Sequence, residues 1–256
     1  MKKNLIKIFA LCFVIFAFIS NLNIYGKELY WYCKRNREHL QPELDKDFTF
    51  IENLGGLYVD KKHSDNCDKK VIYLTFDVGY ENGNVEKILD VMRDEGVKGS
   101  FFILGHLIDS APNLVLRMSE EGYLVCNHTL NHKKLTSANK DLLNSEIIGL
   151  EEKYKSLTGL EMAKFFRPPE GTFSKKLLEE VAKLGYKTVF WSFAYADWDN
   201  GAQMSQDVAM KKILDNLHNG EIMLLHPTSA TNAEIMRDLI RKLKAQGYCF
   251  ATLDEL

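Results

Sequence analysis

The sequence has no excess of charge of either sign, no Cys-x-x-Cys pair, no internal repeat and no low-complexity tract. Its 33 Lys and Arg stand against 35 Asp and Glu, a formal charge of -2, so nothing draws the chain in bulk toward nucleic acid or anionic lipid. No basic cluster is interleaved with aromatics, and nucleic-acid binding is unsupported. Apart from Cys12 in the apolar N-terminal segment, the cysteines are Cys33, Cys67, Cys126 and Cys249, an even number that permits disulfides, but their spacing argues for no particular pairing. Cys126 and Cys249 fall in apolar runs, where a small buried thiol is the commoner state. Any charged substrate has to be held locally, by a site and not by the overall charge.

What is present is enough for one large α/β domain with a full core: 256 residues, 46% of them apolar. At the N-terminus Lys2, Lys3 and Lys7 precede an uncharged apolar segment from Ile8 to Ile19, the pattern of a secretory signal. That segment is shorter than the roughly 20 residues of a spanning helix. Counting on through Leu22 to Tyr25 brings an uncleaved membrane anchor within reach, and the bulky Ile24 and Tyr25 make a poor cleavage site before Gly26. Either way residues 1–26 imply export of the rest to the cell envelope. Residues 27–70 show no periodicity but hold Tyr30, Trp31, Tyr32, Phe48, Phe50 and Tyr58 among many charges, which reads as an arm packed on a domain spanning 71–256.

From residue 71 onward short apolar runs alternate with stretches of helical periodicity. The runs are Val71 to Phe76, Val97 to Leu104, Tyr123 to Thr129, Lys164 to Pro169, Tyr186 to Phe193, Glu221 to His226 and Tyr248 to Leu253. Between them apolar residues recur at three and four, as in Val85, Ile88, Leu89 and Met92. Gly96, Gly122, Gly159, Gly185, Gly220 and Gly247 read as helix ends, and Ser110, Ser137, Ser174 and Ser205 as helix starts. Strict alternation calls for a parallel sheet with continuous apolar strands. The fold class expected is α/β, a distorted (β/α)7-type barrel with parallel strands, with an open doubly wound sheet as the structural alternative.

Five polar signals follow these runs in order: Asp77 after Val71–Phe76, then His128 and His132, Arg167-Pro168-Pro169, Asp197-Trp198, and Leu224-Leu225-His226. All fall at or just past the C-terminal ends of candidate strands, the rim where catalytic side chains converge in parallel barrels. Singly each has a plain structural reading: a strand-end Asp is commonly a helix cap, an Arg a surface ion-pair partner, a His after two leucines a core residue. A His-x-x-x-His pair is a moderate metal signal. His39, His63, His106 and His218 lack such company and read as structural.

The five motifs together resemble those of the polysaccharide deacetylases, the NodB-homology carbohydrate esterases of family 4, over residues 71 to 253. Within that family the chain is similar to the delta-lactam-biosynthetic de-N-acetylases of spore-forming bacteria, through Thr75 to Asn84, Phe190-Trp191-Ser192, and the arm residues Trp31-Tyr32-x-Lys34-Arg35-Asn36 with Gln41-Pro42. The resemblance implies removal of acetyl from N-acetylmuramic acid in peptidoglycan, after an amidase has stripped the stem peptides, on the route to the muramic δ-lactam of spore cortex. It implies Asp77 as general base held by Arg167, and His226 as general acid paired with Asp197. Trp198 and Leu224 would wall the acetyl pocket, and a metal, the backbone N–H near Glu170, or both would hold the oxyanion. Glu170 stands where the family usually has Tyr, a change that a backbone donor survives.

Val78 is the departure. Most of the family has a second Asp here, which with His128 and His132 makes a three-ligand metal site. The nearer lineage typically lacks it, so a divalent metal, Zn²⁺ or similar, is expected to be weakly held if used. Two other functions fit less well. A deacetylase for N-acetylglucosamine in peptidoglycan or a chitin-like polymer would share the pocket. A non-catalytic glycan-binding relic should have lost its acid or base, and neither is lost. The sequence is silent on oligomeric state.

Overall fold

The computed structural model describes residues 26–34 and 38–256. The signal or anchor segment up to Tyr25, and Arg35 and Asn36 of the arm motif, lie outside the described residues. Among the described residues no helix is long and apolar enough to cross a membrane, and no disulfide joins the four cysteines.

In chain order the elements are β1 (Leu29–Tyr30), α1 (Phe50–Asn53), β2 (Lys70–Val78), α2 (Asn84–Asp94), β3 (Ser100–Ile103), α3 (Gly105–Ser110), α4 (Pro112–Glu120), β4 (Leu124–Asn127), α5 (Lys140–Thr158), β5 (Ala163–Phe166), β6 (Thr172–Phe173), α6 (Lys175–Lys183), β7 (Lys187–Thr188), α7 (Gln206–Leu214), β8 (Glu221–Leu225), α8 (Ala230–Ala245) and β9 (Tyr248–Phe250). The seven apolar runs read from the sequence become the seven strands of one parallel sheet, ordered β7-β5-β4-β3-β2-β8 with β9 beside the start of β2. The helices cover the outer face. Along β2 the side chains alternate: Ile72, Leu74, Phe76 and Val78 join the helix-facing apolar layer. Val71 and Tyr73 turn inward to meet Phe102, Cys126, Phe165, Val189 and Ile222 inside the curl.

The sheet curls without a continuous closing ladder. The chain after β7 leans first on β5, through Val189 N–H to the Phe166 carbonyl at 2.7 Å, and then on β8, through Ser192 N–H to the Ile222 carbonyl at 3.0 Å. Below that gap the arm inserts Leu57 against Val189 and Val59 against Glu221 as single bridges. The arm is therefore part of the barrel wall. Its core is Trp31, stacked on Phe190 with ring centroids 4.5 Å apart and tilted against Tyr58 at 5.4 Å. Truncating such a buried Trp typically costs about 3–5 kcal/mol.

Helix ends correct the sequence reading in part. Gly96, Gly122, Gly159, Gly185 and Gly247 follow helices with positive φ, whereas Gly220, also at positive φ, lies in the turn before β8, its helix having ended at Leu214. Ser174 caps α6 by accepting from the Leu177 N–H at 3.1 Å. Ser205 occupies the cap position of α7 without a side-chain bond. Ser137 is displaced by Asn139, which caps α5, and Ser110 ends α3 by donating to the His106 carbonyl. Asn and Ser cap comparably, so the residue nearer the first helical turn took the role.

Candidate active site

The rim at the C-terminal strand ends holds a cleft of about 550 Å³ lined by Asp77, His128, His132, Glu170, Trp198, Leu224 and His226, together with Gly171, Trp191, Ala194 and Tyr195. Strand alternation explains the convergence. Asp77, the penultimate residue of β2, points inward; His128, Arg167 and His226 are the first residues beyond β4, β5 and β8. Arg167 and Asp197 do not line the cleft but sit behind it, 0% and 2% exposed. His39, His63, His106 and His218 stay outside it.

Arg167 is a fully buried cation whose Nε, Nη1 and Nη2 each find an acceptor. Nη1 donates to Asp77 Oδ1 at 2.8 Å, Nη2 to Thr75 Oγ1 at 2.9 Å, and the guanidinium lies 4.1 Å from the Phe102 ring centroid. A buried charge is tolerable only when paired and hydrogen-bonded in this way. Burial alone pushes the Asp77 carboxyl up, but the Arg167 guanidinium, with His226 across the cleft, outweighs it and holds the carboxyl below its ordinary range. With Oδ1 committed to Arg167, Oδ2 is left toward the cleft, 3.5 Å from His128 Nε2.

On the opposite wall His226 Nδ1 meets Asp197 Oδ1 at 2.7 Å, and the His226 backbone N–H donates to Asp197 Oδ2 at 2.8 Å. Burial pulls the imidazole down, yet the Asp197 hydrogen bond and charge prevail and its pKa is raised. Because Nδ1 is fixed by the carboxylate, Nε2 is the nitrogen offered to the cleft. Asp77 and His226 are thus a carboxylate favoured in its ionised form and an imidazole favoured in its protonated form across one cavity, the division of states that paired base and acid chemistry requires.

His128 and His132 lie edge to face with centroids 5.0 Å apart. His128 Nδ1 meets the Arg167 carbonyl at 2.8 Å, and burial pushes its pKa down to about 4, so near neutral pH it is uncharged and its contact with Asp77 is not an ion pair. Family deacetylases are generally metal-dependent. Here, among the described residues, no three His, Cys, Asp or Glu side chains are grouped to hold an ion. The position of the usual third ligand is Val78, 1% exposed and turned into the apolar layer between sheet and helices. The donor set does not complete a metal site. Val78→Asp should bury a carboxylate in that layer and cost on the order of 3 kcal/mol. Adding Zn²⁺ should stabilise the variant no more than the unmodified protein, since the new carboxylate faces the helices and not the two imidazoles. Greater stabilisation of the variant by Zn²⁺ in a melting assay would show that the end of β2 turns and brings position 78 to the imidazole pair.

Three further placements refine the sequence reading. Trp198 is 61% exposed, so it forms the lip of the cleft, with its ring 6.1 Å from that of His226, while Leu224 is buried in the wall. Glu170 turns its side chain outward to Lys134 at 2.7 Å and holds φ at 57°, presenting backbone at the cleft. Next to it Gly171 has φ of 64°, and a Cβ there would come within 2.8 Å of Trp191. Gly171, Trp191 and Tyr195 were not singled out as site residues from the sequence. The Gly after Arg-Pro-Pro-Glu was the one usable signal, because a turn that meets a Trp ring needs the absent side chain.

A parallel curled (β/α)7 barrel with this rim defines a hydrolase of the carbohydrate-deacetylase kind, and the comparisons agree. The polysaccharide deacetylase family model matches residues 64–189. The chain is 40% identical over 227 residues to the peptidoglycan-N-acetylmuramic acid deacetylase PdaA of Bacillus subtilis, covering 88% of this chain and 84% of that protein. The structure of PdaA, described as a family 4 carbohydrate esterase, superposes with a TM-score of 0.84 over 90% of this chain and 97% of the other. An uncharacterised 30.6 kDa protein of Geobacillus stearothermophilus is 37% identical over 96% of this chain and 91% of its own length. A peptidoglycan-N-acetylglucosamine deacetylase of Bacillus cereus is 32% identical over 74% of this chain and 69% of its own. The chain belongs to the polysaccharide deacetylase family.

Proposed function

We propose that this protein is an exported peptidoglycan de-N-acetylase that removes acetyl from N-acetylmuramic acid, leading to the muramic δ-lactam of spore cortex. The observation that carries the chemistry is the pairing of Arg167 with Asp77 and of Asp197 with His226 on opposite walls of one cleft. Asp77 Oδ2 takes a proton from water as its oxygen attacks the acetamide carbon. The oxyanion rests against the backbone N–H of Glu170. His226 Nε2 then protonates the nitrogen as the C–N bond breaks, and acetate and the free amine leave. Leu224 and the Trp198 lip wall the acetyl methyl group. A divalent ion, if recruited, is held weakly by His128 and His132.

Muramic acid as the sugar is supported by the likeness to PdaA and by the arm-side rim. There Tyr30, exposed, donates to Glu28 Oε1 at 2.6 Å, and Lys134 lies 5.9 Å from its ring centroid while pairing with Glu170. This rim offers a fixed ring to the pyranose and a cation that a free lactyl carboxylate would share with Glu170. Lys134→Ala should lower kcat/KM on muramic acid residues by about two- to fivefold, the modest effect of an exposed charge, and leave any glucosamine deacetylation unchanged. Equal loss on both sugars in acetate-release assays would remove Lys134 from sugar recognition. The reading itself is tested with glycan bearing full stem peptides beside the same glycan stripped by an amidase. Preference for the stripped glycan is expected, because the lactyl carboxyl must be free to become the lactam carbonyl. Equal rates, or preference for peptide-bearing glycan, would reject the lactam route.

A further inference from the structure

Behind His226 lies a buried polar cluster that none of the five motifs includes. Asn232, in the first turn of α8, is 0% exposed. Its Nδ2 donates to Asp197 Oδ2 at 2.6 Å and to the His226 carbonyl at 3.1 Å, and its Oδ1 accepts from the Tyr195 hydroxyl. The amide can be oriented in only one way, because its nitrogen faces a carboxylate and a carbonyl while its oxygen faces a hydroxyl. Ser229 caps α8 by accepting from the Asn232 backbone N–H at 3.1 Å, which sets the side chain at this height. Tyr195 is 4% exposed, and its ring lines the cleft while its hydroxyl points back into the cluster.

Asp197 has one rotamer to choose and two oxygens to place. Its Oδ2 is held by two donors, the His226 backbone N–H and the Asn232 amide, so Oδ1 alone is left for the imidazole. That arrangement fixes the ring and directs Nε2 into the cleft. We propose that Asn232 is a positioning residue for the His226 proton donor, acting through Asp197 and held in turn by Tyr195. The inference rests on the reading of His226 as general acid and adds the residues that aim it. Asp77 and Arg167 also act on His226, with opposite signs, from the far wall. Asn232 is fully buried and does not line the cleft.

The consequence is kinetic and specific. Without Asn232 the carboxylate keeps one donor on Oδ2, becomes the stronger base and is free to rotate. The imidazolium then holds its proton to higher pH but presents it less often in line. Asn232→Ala should lower kcat about tenfold or more, a fraction of what loss of a general acid costs, leave KM within about twofold, and move the alkaline limb of the pH-rate profile upward. Asp197→Asn, measured beside it, should move that limb downward. Should Asn232→Ala be too unstable to purify, Tyr195→Phe removes one hydroxyl only and should reproduce the same changes on a smaller scale.

The experiment is pH-dependent kcat and KM on N-acetylated, peptide-stripped glycan for the unmodified protein and these variants, with melting temperatures recorded. A fall in kcat with an upward limb supports the proposal. Unchanged kcat, or a lower melting temperature with kcat falling and the limb unmoved, reduces Asn232 to a helix-anchoring residue. If Asp197→Asn itself leaves the limb in place, the acid assignment fails before this inference is reached.

Discussion

Asp77→Asn should abolish deacetylation while the protein stays folded, a loss of about 10²–10⁴-fold in kcat, the usual cost of removing a general base. The substitution keeps the shape and the Oδ1 acceptor, so Arg167 Nη1 retains a partner and its other bonds to Thr75, Val189 and Phe190 are untouched. What disappears is the negative charge that compensates a buried guanidinium and the lone pair that takes the water proton. Some stability should therefore be lost as well, since an uncompensated buried charge is costly. Stopped acetate-release assays with a circular dichroism control read both effects. Turnover near that of the unmodified protein would remove Asp77 from the reaction.

His226→Ala should be comparably inactive, and Asp197→Asn should separate the charge of the pair from its shape. Asp197 raises the His226 pKa, so the protonated imidazole needed as acid persists above the ordinary histidine range. Arg167 lowers the Asp77 pKa, so the ionised base is present well into acid. Activity should thus form a plateau that starts below the usual carboxylate pKa and ends above the usual imidazole pKa. Removing the Asp197 charge takes away the support for imidazolium, so the alkaline limb should move to lower pH and the acid limb should stay. A pH-rate profile with an unmoved alkaline limb would show that the 2.7 Å contact is structural.

The residues that the sequence revealed are those that follow directly on an apolar strand. Asp77, His128, Arg167 and His226 each stand at a strand end, and their order alone placed them on one rim. The seven strands were visible because a parallel sheet buries both faces, and its strands are continuous apolar runs. Closure was not visible. It depends on single bridges made by Leu57, Val59 and Phe193, which leave no periodic trace. The wall residues Trp191 and Tyr195 lie within or beside an aromatic run where every side chain looks like core. Asn232 was hidden for a related reason: in an amphipathic helix a polar residue in the first turn reads as solvated or as a cap, and only the fold shows it buried against Asp197. Position 78 was legible as a missing ligand but not as a side chain facing the helices, since that follows from strand alternation once Asp77 is fixed inward.

Mass spectrometry of peptide-stripped glycan after incubation with the purified protein tests the central claim most directly. The account predicts loss of acetyl from muramic acid residues with the unmodified protein, loss of water on lactam closure once the amine is free, and neither change with Asp77→Asn. Acetyl lost from glucosamine residues while muramic acid stays intact would contradict it.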